Sequence, residues 1–256
     1  MDTSERALRE KIVESCRAMN ALGINQGTSG NISVRHEGRM LISPSATPYA
    51  DMTAEMVASV ALEDGSGAYD GPLKPSTEWR FHQALLRGRQ DAGAVVHAHP
   101  TYCTTLAIAR KEIPACHYMI AAFGGNSVRC AGYARFGTEE LSQLAIEAMQ
   151  DRTACLLANH GMITIGETLE KAMWRAVELE TIARQYFLSL GLGPVLLTDR
   201  EVEDTIDAFA GYGVQDSAEE RAAAKKKSAP GKKKPAARKP SPARKAPAAR
   251  KAKAKA

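Results

Sequence analysis

Gly93-Ala94-Val95-Val96-His97-Ala98-His99-Pro100 is an apolar run closed by two histidines spaced i, i+2. On a β-strand that spacing turns both imidazoles to one face, because successive side chains alternate. Two imidazoles on one face at the end of a buried strand begin a divalent-metal site. A third histidine follows in Ala158-Asn159-His160-Gly161. Three neutral imidazoles suit Zn²⁺ and leave a fourth position open, as catalytic zinc requires. The competing reading of His-x-His is a pair of core histidines satisfied by hydrogen bonds. The surrounding stretches favour the metal.

Upstream, residues 4–22 place Leu8, Ile12, Cys16, Met19 and Leu22 at helical spacing, with Gly23 as the stop. Asn25-Gln26-Gly27-Thr28-Ser29-Gly30-Asn31 is too rich in Gly and Asn for regular structure. Strands are predicted over 32–35, 40–42 and 57–62. Lys74-Pro75-Ser76-Thr77-Glu78-Trp79 opens a helix to about Arg87, with Ser76 or Thr77 as N-cap and Glu78 in the first turn. Downstream of the histidine strand come a helix from Pro100 to about Ala109, glycine-broken loops at 124–132, and a helix from Thr138 to about Met149. Strands 154–158 and 162–165 flank the third histidine. Helices at 168–190 and 201–209 follow. Strands and helices mix without strict βαβ alternation, which favours helices layered on a largely antiparallel sheet.

The formal net charge of +5 averages two unlike parts. From Arg221 onward there are 15 Lys/Arg and no Asp/Glu, whereas residues 1–220 hold 19 basic and 29 acidic residues, a formal −10. An acidic globular body at 1–218 and a basic tail at 219–256 are expected. The Lys/Ala/Pro-rich tail has no aromatic or large apolar side chain to offset its ordering entropy, so it is expected to be disordered. Such a tail could retain nucleic acid without sequence preference, engage anionic lipid, or stay solvated. No apolar run reaches membrane-spanning length, and the charged first residues lack the apolar core of a signal peptide. Five scattered cysteines without a Cys-x-x-Cys pair read as free thiols in a reducing cytoplasm.

Gly27-Thr28-Ser29-Gly30-Asn31, Ser43-Pro44-Ser45-Ala46 and Ser76-Thr77 can each offer backbone N–H groups and short polar side chains to an oxyanion. The last sits at a helix N-terminus, whose dipole favours negative charge. Three such turns beside a metal site suggest a phosphorylated substrate. Glu78 reads either as a solvated carboxylate at a helix start or as a general acid/base reaching toward the metal. His36, His82 and His117 read as structural.

These stretches stand in order with His117-Tyr118-Met119-Ile120-Ala121-Ala122 and Tyr133-Ala134-Arg135-Phe136-Gly137-Thr138. Together, over roughly residues 5–215, the chain resembles the class II aldolase/adducin family, and within it the branch that cleaves L-fuculose 1-phosphate. The resemblance implies a three-layer α/β/α domain with a central, mostly antiparallel sheet, assembled as a homotetramer with active sites at subunit interfaces. It implies one Zn²⁺ per subunit on His97, His99 and His160, with Glu78 as acid/base and as a metal ligand when substrate is absent. Thr28, Gly30, Asn31, Ser45, Ala46, Ser76 and Thr77 would line the phosphate pocket. Tyr118 and Tyr212 would come from a neighbouring subunit as catalytic groups, and Phe136 and Phe209 would line the aldehyde side. Ala46 departs from the glycine of that branch, and its methyl group would narrow the phosphate pocket.

The implied reaction is reversible cleavage of a ketose 1-phosphate (L-fuculose 1-phosphate, or a deoxypentulose or methylthioribulose 1-phosphate) into dihydroxyacetone phosphate and an aldehyde. No Schiff-base lysine is needed; Lys74 is the one lysine near these motifs. Two related chemistries compete: methylthioribulose-1-phosphate dehydration and sugar-phosphate 4-epimerisation. The epimerases typically carry Asp where Glu78 stands. An adducin-like binding module would also end in a basic tail, but adducins lack the metal histidines.

Overall fold

The computed structural model describes residues 2–209. Tyr212 and the basic tail therefore lie outside the described residues. In chain order the elements are α1 (Thr3–Ala21), β1 (Asn31–His36), β2 (Arg39–Ile42), β3 (Ala58–Ala61), β4 (Tyr69–Asp70), α2 (Trp79–Gly88), β5 (Ala94–Ala98) and α3 (Thr101–Ile108). They continue with β6 (Ile113–Pro114), β7 (Ser127–Val128), β8 (Cys130–Ala131), α4 (Glu139–Ala148), β9 (Ala154–Leu157), β10 (Gly161–Gly166), α5 (Leu169–Ser189) and α6 (Asp199–Phe209). Short 3₁₀ turns stand at Ala54–Met56, Tyr118–Phe123 and Leu190–Leu192.

Eight strands form one sheet in the order β4-β3-β2-β1-β5-β10-β9-β8. Every neighbouring pair is antiparallel except β8 with β9. Strand β5 lies between β1 and β10, with His97 opposite Asn31 on one side and Ile163 on the other. The apolar run at 94–98 is thus buried on both edges, and its alternation splits two cores. Ala94, Val96 and Ala98 join the core under α1, α3 and α5, whereas Val95 joins the core under α2 and α4. Helices on both faces of one sheet make the expected three layers.

The helix starts follow local chemistry. Asp2 accepts from the Glu5 N–H at 2.8 Å, Thr138 from the Leu141 N–H at 3.2 Å, and Thr168 from the Lys171 N–H at 3.3 Å. Each satisfies a donor that the first turn leaves without a helical partner. Helix α2 buries Phe81, Leu85 and Leu86 against the sheet, at about 1.5–3 kcal/mol for each side chain. It begins at Trp79, so Glu78 stands just before the first turn and not within it. The two-residue strands β4, β6, β7 and β8 were not expected, nor was the 3₁₀ turn that carries Tyr118. No helix among the described residues is long and apolar enough to cross a membrane.

Candidate metal centre and active site

The three histidines meet at one end of β5 and β10. His97, fully buried, sits in β5; its Nδ1 lies 2.9 Å from the Met162 carbonyl oxygen across the strand pair. A carbonyl can only accept, so Nδ1 donates to it and Nε2 is left to face His99 and Glu78. His99 lies one residue past the end of β5, with its Nε2 2.9 Å from that of His97. His160 closes the turn from β9 to β10, behind Asn159 in the left-handed conformation (φ +53°). The ring centroids stand 4.8, 4.8 and 4.9 Å apart, and one nitrogen from each lies within 4.8 Å of the others.

Glu78 completes the cluster from the head of α2. Its Oε2 is 3.1 Å from His97 Nε2, and its Oε1 is 3.2 Å from His160 Nε2. The Ser76 hydroxyl oxygen accepts from the Glu78 N–H at 3.2 Å, which fixes the backbone there. Burial works to raise the Glu78 carboxyl, but the facing His97 and His160 imidazoles outweigh it and hold it below the usual carboxylate range. Burial, reinforced by the neighbouring His97 and His160, pushes His99 down to about 3, so its imidazole stays neutral and free to ligate.

Behind Glu78 runs a buried chain of hydrogen bonds. The Asn31 Nδ2 group donates to Glu78 Oε2 at 2.9 Å, and Asn31 Oδ1 faces His82 Nε2. His82 Nδ1 lies 2.7 Å from the Ser33 hydroxyl. Asn31 and Ser33 come from β1 and His82 from α2. Burial pushes His82 down to about 3, with His97 adding to the shift and Glu78 opposing it, so the ring is neutral.

A metal ion fits these residues. Glu78 Oε1 is buried and accepts no hydrogen bond, a lone pair that costs free energy unless a cation or donor meets it. Three imidazole nitrogens and one carboxylate oxygen are the donor types that zinc takes. His97, His99, His160 and Glu78 would hold it.

The cluster opens into a cleft of about 410 Å³. Of the expected phosphate-pocket residues, Thr28, Ser45, Ala46 and Thr77 line this cleft. Gly30, Asn31 and Ser76 do not line it; Asn31 and Ser76 instead hydrogen-bond Glu78. A Cβ on Gly30 would lie 2.7 Å from the His97 carbonyl oxygen, so glycine there lets β1 approach the histidine strand. Ala46 holds the left-handed conformation (φ +51°). Phe136, 60% exposed, lines the cleft beside Tyr133 and Ala134. Phe209 does not; it packs half-buried at the end of α6 against the core under α5. Tyr118 is 52% exposed and outside the cleft of its own chain.

Sequence reasoning missed Ser29, Tyr133 and Asn159, which also line the cleft. Each stood beside a residue already singled out: Ser29 in the glycine-rich turn, Tyr133 ahead of Phe136, and Asn159 before His160.

The family model for the class II aldolase and adducin N-terminal domain matches residues 10–187. The chain is 45% identical over 210 residues to the L-fuculose phosphate aldolase of Escherichia coli strain K12, covering 81% of this chain and 96% of that one. It is 45% identical over 214 residues to the 5-methylthioribulose-1-phosphate/5-deoxyribulose-1-phosphate aldolase of Rhodospirillum rubrum, covering 83% and 96%. Among solved structures, an L-fuculose 1-phosphate aldolase superposes with a TM-score of 0.77 at 33% identity, over 82% of this chain and 98% of that one. Matched by the family model over most of its length and 45% identical to aldolases that it covers almost completely, the chain belongs to the class II aldolase and adducin family, among its aldolases.

Proposed function

We propose that the chain is a zinc-dependent lyase that reversibly cleaves a ketose 1-phosphate into dihydroxyacetone phosphate and an aldehyde. The observation that carries this reading is the convergence of three imidazoles and the Glu78 carboxylate beside a cleft walled by Thr28, Ser45 and Thr77. The relatives named above act on L-fuculose phosphate and on 5-methylthioribulose or 5-deoxyribulose 1-phosphate. L-fuculose 1-phosphate and these deoxypentulose phosphates are the substrates proposed here.

Cleavage takes the proton from the C4 hydroxyl and breaks the C3–C4 bond. The bonding pair stays on the three-carbon fragment, which then gains a proton at C3. Zinc, when bound, supplies Lewis acidity for the negative charge that develops on the fragment's oxygens. The chain's own residues do the rest. Thr28, Ser45, Ala46 and Thr77 receive the phosphate, and Asn31 and Ser76 hold Glu78. Glu78, ionised at rest, gains a proton equivalent to the one the C4 hydroxyl gives up and delivers it at C3. Tyr118 and Tyr212 of a neighbouring subunit serve the C4 oxygen, and Phe136 faces the aldehyde. Phe209, which the resemblance also gives to the aldehyde side, packs in its own chain against the core under α5. The family resemblance extends this to a homotetramer with shared sites, and the scattered free thiols suit a reducing cytoplasm. Residues 1–218 are assigned to catalysis, and the basic residues of 219–256 would give weak, sequence-independent affinity for nucleic acid.

The test is retro-aldol cleavage of a panel of ketose 1-phosphates, followed by dihydroxyacetone phosphate release with and without chelator, beside Glu78→Gln. Release that needs metal and collapses in the variant supports the reading, and the kcat/KM ranking names the substrate. Zinc bound with no release from any substrate would point to the dehydratase or epimerase. A chain that takes up no metal would point to a binding module.

A further inference from the structure

The hydrogen-bond chain behind Glu78 has a direction that the inventory of donors and acceptors fixes. Glu78 is ionised and can only accept, so Asn31 must present its Nδ2 group to Oε2, as found at 2.9 Å. Asn31 Oδ1 then faces His82, and an amide oxygen can only accept, so His82 carries its proton on Nε2. His82 Nδ1 is left as an acceptor and takes the Ser33 hydroxyl proton, with the two atoms 2.7 Å apart. Ser33 and His82 are fully buried and Asn31 nearly so, so no water competes for these groups. Each link allows one orientation of the next. A donor on His82 Nε2 adds a second hold on the Asn31 amide beside the pull of the Glu78 carboxylate, and fixes where the amide sits.

We propose that His82 is a positioning residue: through Asn31 it locks the Glu78 carboxylate onto the histidine cluster. The inference rests on the metal reading above. It gives His82 a task beyond the structural role its buried place on α2 suggests. Removing an outer-sphere partner of a metal ligand typically costs about 10–100-fold in metal affinity or activity.

Two substitutions of similar polarity separate the links. In His82→Gln the side-chain amide reaches the place of Nε2 and keeps a donor for Asn31. In His82→Asn the shorter amide reaches only the place of Nδ1, which keeps the Ser33 contact and loses Asn31. The experiment is competition of the full-length chain with a chelator for Zn²⁺, with circular dichroism to confirm folding, and kcat and KM alongside.

The expected result is zinc affinity near that of the unsubstituted chain for His82→Gln, and roughly 10–100-fold weaker affinity for His82→Asn. In a Glu78→Gln background the difference between the two should vanish. Should His82→Asn fail to fold, Asn31→Ala cuts the chain one link nearer Glu78 and should lose zinc by a similar factor. Equal affinity in all the variants, or a loss that persists unchanged in the Glu78→Gln background, overturns the positioning role while leaving the metal site intact. An unsubstituted chain that takes up no zinc overturns both readings together.

Discussion

His99 occupies the space that a side chain at residue 161 would need. A Cβ on Gly161 would lie 2.6 Å from His99 Cδ2 and 2.5 Å from the Ala98 carbonyl oxygen. The backbone oxygen cannot retreat without opening the β5–β10 pair, which is registered at Met162 and Ala98. Gly161→Ala should therefore move the His99 ring out of the cluster. We expect zinc affinity to drop at least about tenfold, and stability by about 1–3 kcal/mol from overpacking. Chelator competition and urea unfolding of the variant check both.

Ala46 lines the cleft in a conformation that suits glycine (φ +51°). A left-handed backbone costs a residue with a Cβ about 1–2 kcal/mol, partly offset because glycine has more unfolded-chain entropy to lose. Ala46→Gly should gain roughly 0.5–1 kcal/mol and raise the melting temperature by about 1–4 °C. It should also lower KM for the ketose phosphate by clearing a methyl group from the pocket wall. An unchanged KM with a raised melting temperature would place the phosphate away from residue 46.

His82 makes the fold acid-sensitive. Burial pushes its native pKa down to about 3 from the ordinary value of 6.5, so the native state resists a proton that the unfolded chain accepts. The associated stability is complete above pH 6.5 and is lost progressively as pH falls toward 3. Between about pH 7 and pH 5 one such group removes roughly 2 kcal/mol of stability. His82→Gln should lose less over that interval by about this amount. His99, lowered for similar reasons, keeps part of the slope in both proteins. Urea titrations of the two proteins at both pH values provide the comparison.

Much of the site was legible because the pattern and the contact were local. The i, i+2 histidines in an apolar run placed His97 and His99 on the end of a buried strand, and strands read on either side of residue 160 put His160 between them. Glu78 was legible in type but not in place, since its backbone (φ −98°, ψ 14°) leaves the helix to begin at Trp79. The strands β4, β6, β7 and β8 have two residues each, too few to show alternation. Phe209 packs with Val202 and Ile206 against the core under α5, a neighbourhood set by the folding of α6 that its sequence position does not reveal. His82 read as structural from its place in the Glu78 helix; its link to Asn31 spans 51 residues, and only the packing of α2 on β1 reveals it.

The 15 Lys/Arg from Arg221 onward carry a prediction independent of the catalytic site. Full-length chain should be retained on DNA at low salt and released steeply as salt rises, since each phosphate contact releases counterion. A chain ending at Glu220, formally −10, should pass through unretained. Equal retention of both would assign any binding to the acidic body.

Tyr118 sits 52% exposed and outside the cleft that holds its own chain's Glu78. If a neighbouring subunit supplies the tyrosine, the two groups act in one site but are encoded on different chains. Glu78→Gln and Tyr118→Phe should each depress kcat in the pure oligomers. Mixed oligomers should regain activity, because a Tyr118→Phe subunit still offers Glu78 and a Glu78→Gln neighbour still offers Tyr118. With random mixing in a cyclic tetramer, roughly a quarter of the sites would be intact. A tyrosine acting within its own chain would leave every site with one defect, and co-expression would then give no more activity than the average of the parents. Activity well above that average, scaling with the mixing ratio, would show that the site is shared.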